Sequence, residues 1–334
     1  MHVMLVVSDD GGLNRDNLAK FYQGEGIKII FDTTFASAAK LKSTIVVTAS
    51  SGIDRELLPT KAKYLVHMPH SLASLHLIYP KGTFNGYDVL FACGPQHVRE
   101  FMAMVEYYNL KNKKIEKIGY GKHDVLKDGL NSYQSTHSTN EICAVIKSHI
   151  LIAPSWGPDN LLDKCGLELA KVLVENGFKV TVRPHPLFFL EASTVVYEIK
   201  AFCNSSENCE LESPMDTDDA IYSADLMIGD YSGASFEFVA LRSRPVVSVD
   251  VGMKEINKEW KKLDIMPIEI GLRESIGCVV EPDVKKIVAA VEESLDKYIN
   301  DRSAKQVIDE FMYSPEGSCG RNAANAIRKL IGTE

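Results

Sequence analysis

The amino-acid sequence predicts an α/β protein in which two doubly wound domains face each other across a cleft. First, short apolar runs of strand length alternate with amphipathic helical stretches, as in parallel sheets with crossover helices. Second, the apolar pattern stops between Lys127 and Asn140, where Ser, Thr, Asn and Gly dominate, and another alternating series follows. Third, Ala224 to Asp250 reads as strand, Ser/Gly turn, helix and parallel strand. At 334 residues the chain is long enough for two hydrophobic cores.

The composition is that of a soluble globular protein, with 45% apolar and 25% charged residues. A net charge of −8 argues against broad nucleic-acid binding and against a strongly basic membrane face. Seven scattered cysteines show neither a disulfide framework nor CxxC zinc spacing, so we expect a reducing cytoplasm. The N-terminus begins directly with a strand pattern, and no run approaches the roughly 18 apolar residues of a spanning helix.

The first series, residues 1–135, is expected to form one domain. Its predicted strands are Met4–Val7, Ile27–Phe31, Thr44–Thr48, Tyr64–His67 and Asp88–Ala92, and its predicted helices are Leu13–Tyr22 and Gln96–Tyr108. Pro95 suits the first turn of the second helix, because a missing N–H costs nothing there.

The second series, residues 145–315, is expected to form the other domain, with a helical C-terminal unit at 316–334. Its predicted strands are Ile150–Ala153, Lys179–Val182, Leu226–Ile228 and Val246–Val249 after Pro245, and its predicted helices are Leu161–Asn176, Leu187–Phe202, Val284–Ile299 and Asn322–Ile331. Ligands prefer the cleft between two such domains.

The turn from Gly229 to Gly233 is the stretch around which the second domain is organised. Ser232 or Ser235 is expected to cap the helix that follows, whose free N–H groups and positive dipole end suit an anion. The turn lacks the GxGxxG and GxxxxGK[ST] spacings of phosphate loops, so it does not define one alone. Glu237 lies in the first turns of this helix and either accepts from a ribose hydroxyl or only favours the helix dipole. The polar groups offered here to a ligand are Asp230, Tyr231, Ser232, Gly233 and Ser235.

Arg183 and His185 alternate with two prolines at the end of a predicted strand. A residue before proline is kept out of the helical region, so both side chains should project at the carboxyl edge of the sheet. A guanidinium suits bidentate phosphate contact and an imidazole titrates near neutrality. The alternatives are that His185 only fills a turn and that Arg183 forms a surface ion pair.

His70 follows a strand of the first domain after Pro69. We interpret it as a general base, with a structural histidine as the alternative. A metal site at His67 and His70 is disfavoured, because no third ligand is close in sequence. Trp156 lies at a strand end and either walls a pocket or fills the core.

Seven stretches occur in a distinctive order. They are HS at His70, YD at Tyr87, IGYGKHDVL at Ile118, LIAPSW at Leu151, RPHP at Arg183, ADLMIGDYSGASFEF at Ala224 and FMYSPEGSCGRNAANAI at Phe311. Together, from about Tyr64 to Ile331, they resemble the CDP-glycerol glycerophosphotransferase family. This resemblance implies a GT-B fold of two Rossmann-like domains facing across a cleft, and a role in making teichoic acids or capsular polyol phosphates.

The family's HP motif matches His185 and Pro186, its DYSS motif matches Asp230 to Ser232, and its HG histidine, the proposed base, matches His70. The chain also departs from the family. Gly157 replaces an arginine, Gly233 replaces the second serine of DYSS, Glu237 replaces an aspartate, and Ser71 follows the histidine where the family has glycine. Fewer cations are therefore expected around the donor, and the alditol or sugar stays open.

The resemblance implies a CDP-alditol donor whose diphosphate lies near Ser232 to Ser235, aided by His185 and Arg183. His70 would deprotonate a hydroxyl of a membrane-linked or polymeric polyol or glycan acceptor, and CMP would leave. No nucleic-acid partner is implied, and the protein would be cytoplasmic and visit the inner membrane face. No cofactor is expected, since Asp216, Asp218 and Asp219 resemble a helix start rather than a metal motif; Mg²⁺ stays open as an assisting ion.

Three other functions stay open. A GT-B glycosyltransferase using a nucleotide sugar would share the fold and the helix-end phosphate site. A nucleotide-sugar 2-epimerase needs carboxylates in the cleft, and few are placed there. A degenerate homologue would bind a nucleotide without turnover, although retention of both histidines counts against it.

Overall fold

The structure is a computed structural model that describes residues 4–8, 28–32, 44–49, 53, 62–137, 147–190, 193–213, 217–298 and 303–332. Its strands are β1 (Met4–Ser8), β2 (Lys28–Asp32), β3 (Ile45–Thr48), β4 (Tyr64–His67), β5 (Val89–Ala92), β6 (Lys114–Lys117), β7 (Lys147–Ile152), β8 (Phe178–Val182), β9 (Cys209–Leu211), β10 (Leu226–Gly229), β11 (Val246–Val249) and β12 (Gly277–Val280). All described strand pairs are parallel, which confirms the predicted α/β class.

Helices separate most of these strands. The α-helices are α1 (Leu75–Ile78), α2 (Pro95–Tyr107), α3 (Gly121–Thr136), α4 (Leu167–Glu175), α5 (Pro186–Leu190), α6 (Thr194–Asn204), α7 (Asp219–Ser223), α8 (Gly233–Arg242), α9 (Ile268–Gly271), α10 (Val284–Tyr298), α11 (Ser303–Asp309) and α12 (Cys319–Ile331). A π-helical turn, Leu162–Gly166, leads into α4, and 3₁₀ turns lie at Trp260–Leu263 and Arg273–Ser275.

The C-terminal sheet has the strand order β12-β11-β10-β7-β8-β9. Strands added after β7 extend the sheet in one direction, and those from β10 onward extend it in the other. The order therefore reverses between β7 and β10, and ligands of open parallel sheets bind at the carboxyl ends beside such a reversal. The central strands are continuous apolar runs because helices cover both faces: β10 and β11 are buried along their whole length.

The N-terminal sheet has the strand order β3-β4-β5-β6, and β1 pairs with β2. One face of this sheet packs on α2 through Leu65, Leu90 and Phe101. The last helix crosses back from the second series: Cys319, Ala326 and Leu330 of α12 pack with Val66 and Val89 on the N-terminal sheet. A helix at the end of the chain therefore completes the core of the domain at its beginning.

Several local predictions differ from the structure. The stretch from Lys127 that we assigned to a boundary begins inside α3, whose exposed face is rich in Ser and Asn, and the sheet changes between β6 and β7. The single helix predicted at Leu187–Phe202 is two helices, α5 and α6. Cys203 and Cys209 form a disulfide that scattered cysteines did not predict. The helix predicted at Leu13–Tyr22 lies outside the described residues.

Among the residues that the structure describes, no helix has both the length and the apolar character needed to cross a membrane.

Candidate active site

The candidate site lies where the carboxyl ends of the two sheets approach each other. The segments after β7, β8 and β10 supply it from the C-terminal sheet, and the segment after β4 supplies it from the N-terminal sheet. The approach is closest at Gly233: a Cβ placed there would lie 2.5 Å from Ser71 Oγ. A side chain at position 233 would force the Ser71 hydroxyl to move, so a glycine suits this close approach. This glycine, which departs from the family's serine, therefore has a physical reason.

Helix α8 begins in this cleft. The Ser232 side chain accepts a hydrogen bond from the Ala234 N–H at 3.2 Å and caps the helix, as one of the two predicted serines was expected to. The other predicted serine, Ser235, is buried, and its Oγ has no hydrogen-bond partner among the described residues. The Ser232 side chain and carbonyl accept from the N–H groups of Ala234 and Ser235, and the positive end of the helix dipole favours an anion at this point.

Asp230 and Tyr231 make contacts within the C-terminal domain. The buried Asp230 carboxylate accepts from the N–H of Ser155 at 2.7 Å and of Leu161 at 3.2 Å, so it fixes the segment after β7. The Tyr231 hydroxyl donates to Asp250 at 2.5 Å, and the Arg273 guanidinium stacks 4.2 Å from the centre of its ring. In this structure both side chains shape the wall of the cleft.

His185 faces Trp156 across the mouth of the C-terminal domain, with 6.1 Å between ring centroids. Burial, together with the nearby charges of Lys254, Lys122 and His70, lowers the pKa of His185 to about 4, so the ring is neutral at pH 7. The Leu187 N–H lies 3.3 Å from Nδ1 and donates to it, which places the ring proton on Nε2. His185 therefore offers an N–H donor to a ligand.

Trp156 lies in the cleft wall and not in the core, with 41% of its surface exposed. The Lys254 ammonium lies 5.1 Å from the centre of its ring. We call Trp156, His185, Lys254 and the helix start at Ser232 the cleft pocket.

His70 lies on the opposite wall, and its side chain is exposed to the cleft. Desolvation lowers the pKa of His70, with Glu237 opposing this change and Lys122 adding to it. A neutral imidazole at pH 7 is able to accept a proton. The two predicted histidines, one from each domain, lie close enough across the cleft for the charge of His70 to contribute to the lowered pKa of His185.

Arg183 is turned away from this arrangement. Its guanidinium binds the Glu212 carboxylate, Asp218 Oδ1 at 2.5 Å and the Thr217 carbonyl at 2.5 Å. Only 8% of the side chain is exposed. We call Arg183, Glu212 and Asp218 the Arg183 cluster. This geometry favours the ion-pair alternative over direct donor contact.

Glu237 connects the two domains. It accepts from the Tyr120 hydroxyl at 2.5 Å and from Lys122 Nζ at 2.6 Å. The same hydroxyl lies 3.0 Å from the His70 carbonyl oxygen, so the bridge also holds the backbone of the candidate base. Burial beside Glu237 raises the pKa of Tyr120 well above its usual value, which keeps the hydroxyl a donor. A hydrogen bond from a ribose hydroxyl to Glu237, which was one of the predicted roles, would compete with the hydrogen bonds from Tyr120 and Lys122.

Sequence reasoning missed Tyr120, Lys122 and Lys254. The first two lie within the motif at Ile118, which we quoted without assigning roles to its members. No local pattern marks Lys254. Within the part of the chain that the structure describes, no group of three His, Cys, Asp or Glu side chains is placed to hold a metal.

The fold and cleft define the class of protein: two Rossmann-like domains of GT-B type. The wall teichoic acid polymerase TagF shares the fold at 14% identity, with a TM-score of 0.59 over 99% of this chain and 89% of that chain. A TagF variant soaked with CDPG gives a TM-score of 0.62 at 14% identity, covering 99% and 88% of the two chains. MnaA of S. aureus with UDP gives 0.54 at 13% identity, covering 100% and 98%.

The sequence decides the family within that class. The profile of the CDP-glycerol:poly(glycerophosphate) glycerophosphotransferase family matches residues 84–317, and the chain belongs to this family. It is therefore a transferase of the type that uses CDP-glycerol. No protein of curated function matches the sequence.

Proposed function

We propose that this protein transfers glycerol phosphate, or a related alditol phosphate, from a CDP-activated donor to a hydroxyl of a cell-envelope polymer or lipid-linked acceptor, releasing CMP. The observation that carries the proposal is the cleft itself. A candidate base, His70, and a neutral N–H donor, His185, lie on opposite walls of the cleft in which helix α8 begins, with Gly233 against Ser71. An anion entering this cleft meets dipoles and cations that are already in place.

The donor would occupy the cleft pocket. Its diphosphate would lie against the N–H groups from Ser232 to Ser235 and accept a hydrogen bond from Nε2 of His185. Trp156, exposed at the wall, would cover one face of the donor. Asp230 and Tyr231 would contribute through the loop and wall that they hold, and Glu237 through the bridge that positions His70.

The transfer would be a displacement at phosphorus. His70 takes the proton of the acceptor hydroxyl, and the acceptor oxygen forms a bond to the β-phosphorus. The bond from that phosphorus to the bridging oxygen breaks, and CMP leaves with its electron pair. His185 Nε2–H stabilises the charge on the departing phosphate. Positioning and charge stabilisation dominate such reactions, which suits a cleft with few acid or base groups.

The acceptor would enter from the N-terminal side, past His70. We place the reaction at the cytoplasmic face of the membrane, where a lipid-linked acceptor would present its growing end. Mg²⁺ stays open as an assisting ion of the diphosphate, and activity with Mg²⁺ compared with activity in chelator decides the point.

Calorimetric titration of the purified protein with CDP-glycerol, CDP-ribitol, CMP and UDP tests the donor class. Cytidine nucleotides binding at least about 10-fold more tightly than UDP, a difference of 1.4 kcal/mol, would support the proposal. Acceptors are then found by following CMP release. Preference for UDP would instead indicate sugar-nucleotide chemistry, and binding of no nucleotide would indicate a degenerate homologue.

A further inference from the structure

Lys254 is a partly buried lysine whose ammonium nitrogen lacks a hydrogen-bond partner among the described residues. It follows strand β11 on a segment without regular structure. Its Nζ is fully buried and has no hydrogen-bond partner in the described ranges; its nearest ring is that of Trp156. Burying an ammonium group without hydrogen bonds costs several kcal/mol, because water solvates this ion strongly. Such a group persists where a ligand supplies the missing partner.

Lys254 lies beside His185 at the cleft pocket, with its ammonium group against the ring of Trp156. It is the nearby charge that most strongly lowers the pKa of His185, so the two side chains are close neighbours. The opposing carboxylate is Asp230, whose two oxygens already accept from the Ser155 and Leu161 N–H groups. The site thus has a positive charge without a hydrogen-bonded anion.

Gly157 explains how the lysine reaches this point. Its backbone has a φ of +100°, and a Cβ placed there would lie 3.4 Å from Cε and 3.5 Å from Nζ of Lys254. A long side chain at position 157 would therefore compete for the space that Lys254 fills. Gly157 replaces an arginine of the family, and Lys254 brings a cation to the same place from another segment.

We propose that Lys254 binds the diphosphate of the nucleotide donor, together with Nε2–H of His185 and the start of helix α8. This inference rests on the proposed function and deepens it, because it assigns the principal cation of the donor site. A diphosphate would give the ammonium the hydrogen bonds and the countercharge that it lacks. The lysine is a binding residue for the reaction and takes no covalent part.

Affinities of cytidine, CMP, CDP and UDP for four proteins test the assignment: the wild type, Lys254→Met, Lys254→Arg and Lys261→Met. Lys254→Met should weaken CDP binding about 10-fold to 100-fold, the effect of losing one charged hydrogen bond, and leave cytidine binding unchanged. Lys254→Arg should restore most of the affinity. Lys261 is the matched control, since it is 71% exposed and lies near Glu255.

Proton uptake separates a phosphate contact from simple packing on Trp156. Burial lowers the pKa of Lys254 to about 8, and a bound diphosphate would raise it. Between about pH 8 and pH 9, CDP binding should therefore take up protons, measured by calorimetry in buffers of different ionisation enthalpy. The titratable and charged groups facing Lys254 are His185 and Asp230, and His185 stays neutral there. Lys254→Arg should bind CDP without this uptake.

The outcomes distinguish this inference from the proposed function. Cytidine-selective binding that is equal in the wild type and Lys254→Met overturns the role of Lys254 and leaves the donor class standing. Equal affinity for CDP and UDP, weakened in Lys254→Met, overturns the donor class and keeps the diphosphate contact. Binding of no nucleotide by the wild type overturns both. Circular dichroism and thermal unfolding confirm that each variant is folded.

Discussion

Arg183 and Lys254 each bring a positive charge to the carboxyl edge of the C-terminal sheet, one after β8 and the other after β11. Arg183 is surrounded by two carboxylates and a carbonyl, all within hydrogen-bond distance. Lys254 has an aromatic ring and no hydrogen-bond partner in the described part of the chain. The arginine belongs to a recognisable motif and the lysine does not. The number of partners therefore identifies the cation available to a ligand better than the motif does.

This comparison predicts opposite effects of substitution. In the Arg183 cluster, a change leaves a buried carboxylate without its partner and should lower stability. In the cleft pocket, a change removes a group that protein partners do not need, so it should lower affinity or turnover while stability is kept. A variant of the Arg183 cluster that kept its stability, or a variant of the cleft pocket that lost stability but kept its affinity and turnover, would contradict this difference between the two regions.

Arg183→Met should have the largest effect, a loss of about 3–5 kcal/mol in the free energy of unfolding at pH 7. Glu212 is buried, and burial raises its pKa even with Arg183 beside it. Without the guanidinium, the folded state must hold an uncompensated carboxylate. Urea unfolding of the variant and the wild type measures the difference.

The pH dependence of the Arg183→Met loss provides its control. Removing Arg183 raises the folded-state pKa of Glu212 further above its unfolded value, so the folded variant takes up a proton as the pH falls. The stability lost at pH 7 should therefore be partly regained at pH 5. A loss of less than about 1 kcal/mol at pH 7, the scale of a surface ion pair, would contradict the cluster's structural role.

His185→Ala should have the next largest effect, a reduction in turnover of about 100-fold, typical of removing one stabilising donor. The ring contacts Trp156 at the wall of the cleft, so the free energy of unfolding should change by less than about 1 kcal/mol. His185→Gln keeps an N–H donor and should retain more activity than the alanine variant. Turnover of His185→Ala within a few-fold of wild type would remove this residue from the mechanism.

The sequence predicts the fold well because the relevant signals are local. Strand-length apolar runs, Pro95 at a helix start and the cap at Ser232 all depend on neighbours within a few residues. Three strands were missed: β12 is a run of only four residues, GCVV, whereas β6 and β9 lack such signals, because β6 is the half-exposed KIEK and β9 has three residues. Their pairing in the sheet, not their composition, makes them strands.

The site was less predictable because its contacts are long-range. Arg183 meets carboxylates 29 and 35 residues further along the chain, and no spacing rule connects them. Glu237 meets Tyr120 at a separation of 117 residues, across the domains. A motif indicates which residues lie at the edge of a sheet, whereas the tertiary partners decide which of them remain available to a ligand.

Two of the departures from the family motifs, at Ser71 and Gly233, are related only in the folded structure. Where the family has glycine after the candidate base this chain has Ser71, and where the family has a second serine it has Gly233. The two positions face each other, and a Cβ at Gly233 would lie 2.5 Å from Ser71 Oγ. The serine hydroxyl thus lies on the N-terminal wall of the cleft instead of the C-terminal wall. The absence of a side chain at Gly233 leaves space for the side chain of Ser71.

Lys122 is an intermediate case that sharpens the comparison, since it is paired with Glu237 at 2.6 Å yet is 47% exposed. Lys122→Met should cost less than Arg183→Met, about 1 kcal/mol, because solvent screens the half-exposed ammonium group and the buried Glu237 carboxylate keeps its hydrogen bond from Tyr120. Tyr120→Phe removes the buried hydrogen bond to the same carboxylate and should cost about 1.5–3 kcal/mol. Urea unfolding of both variants measures the two losses. An equal loss in both would mean that burial does not separate structural from available charges in this cleft.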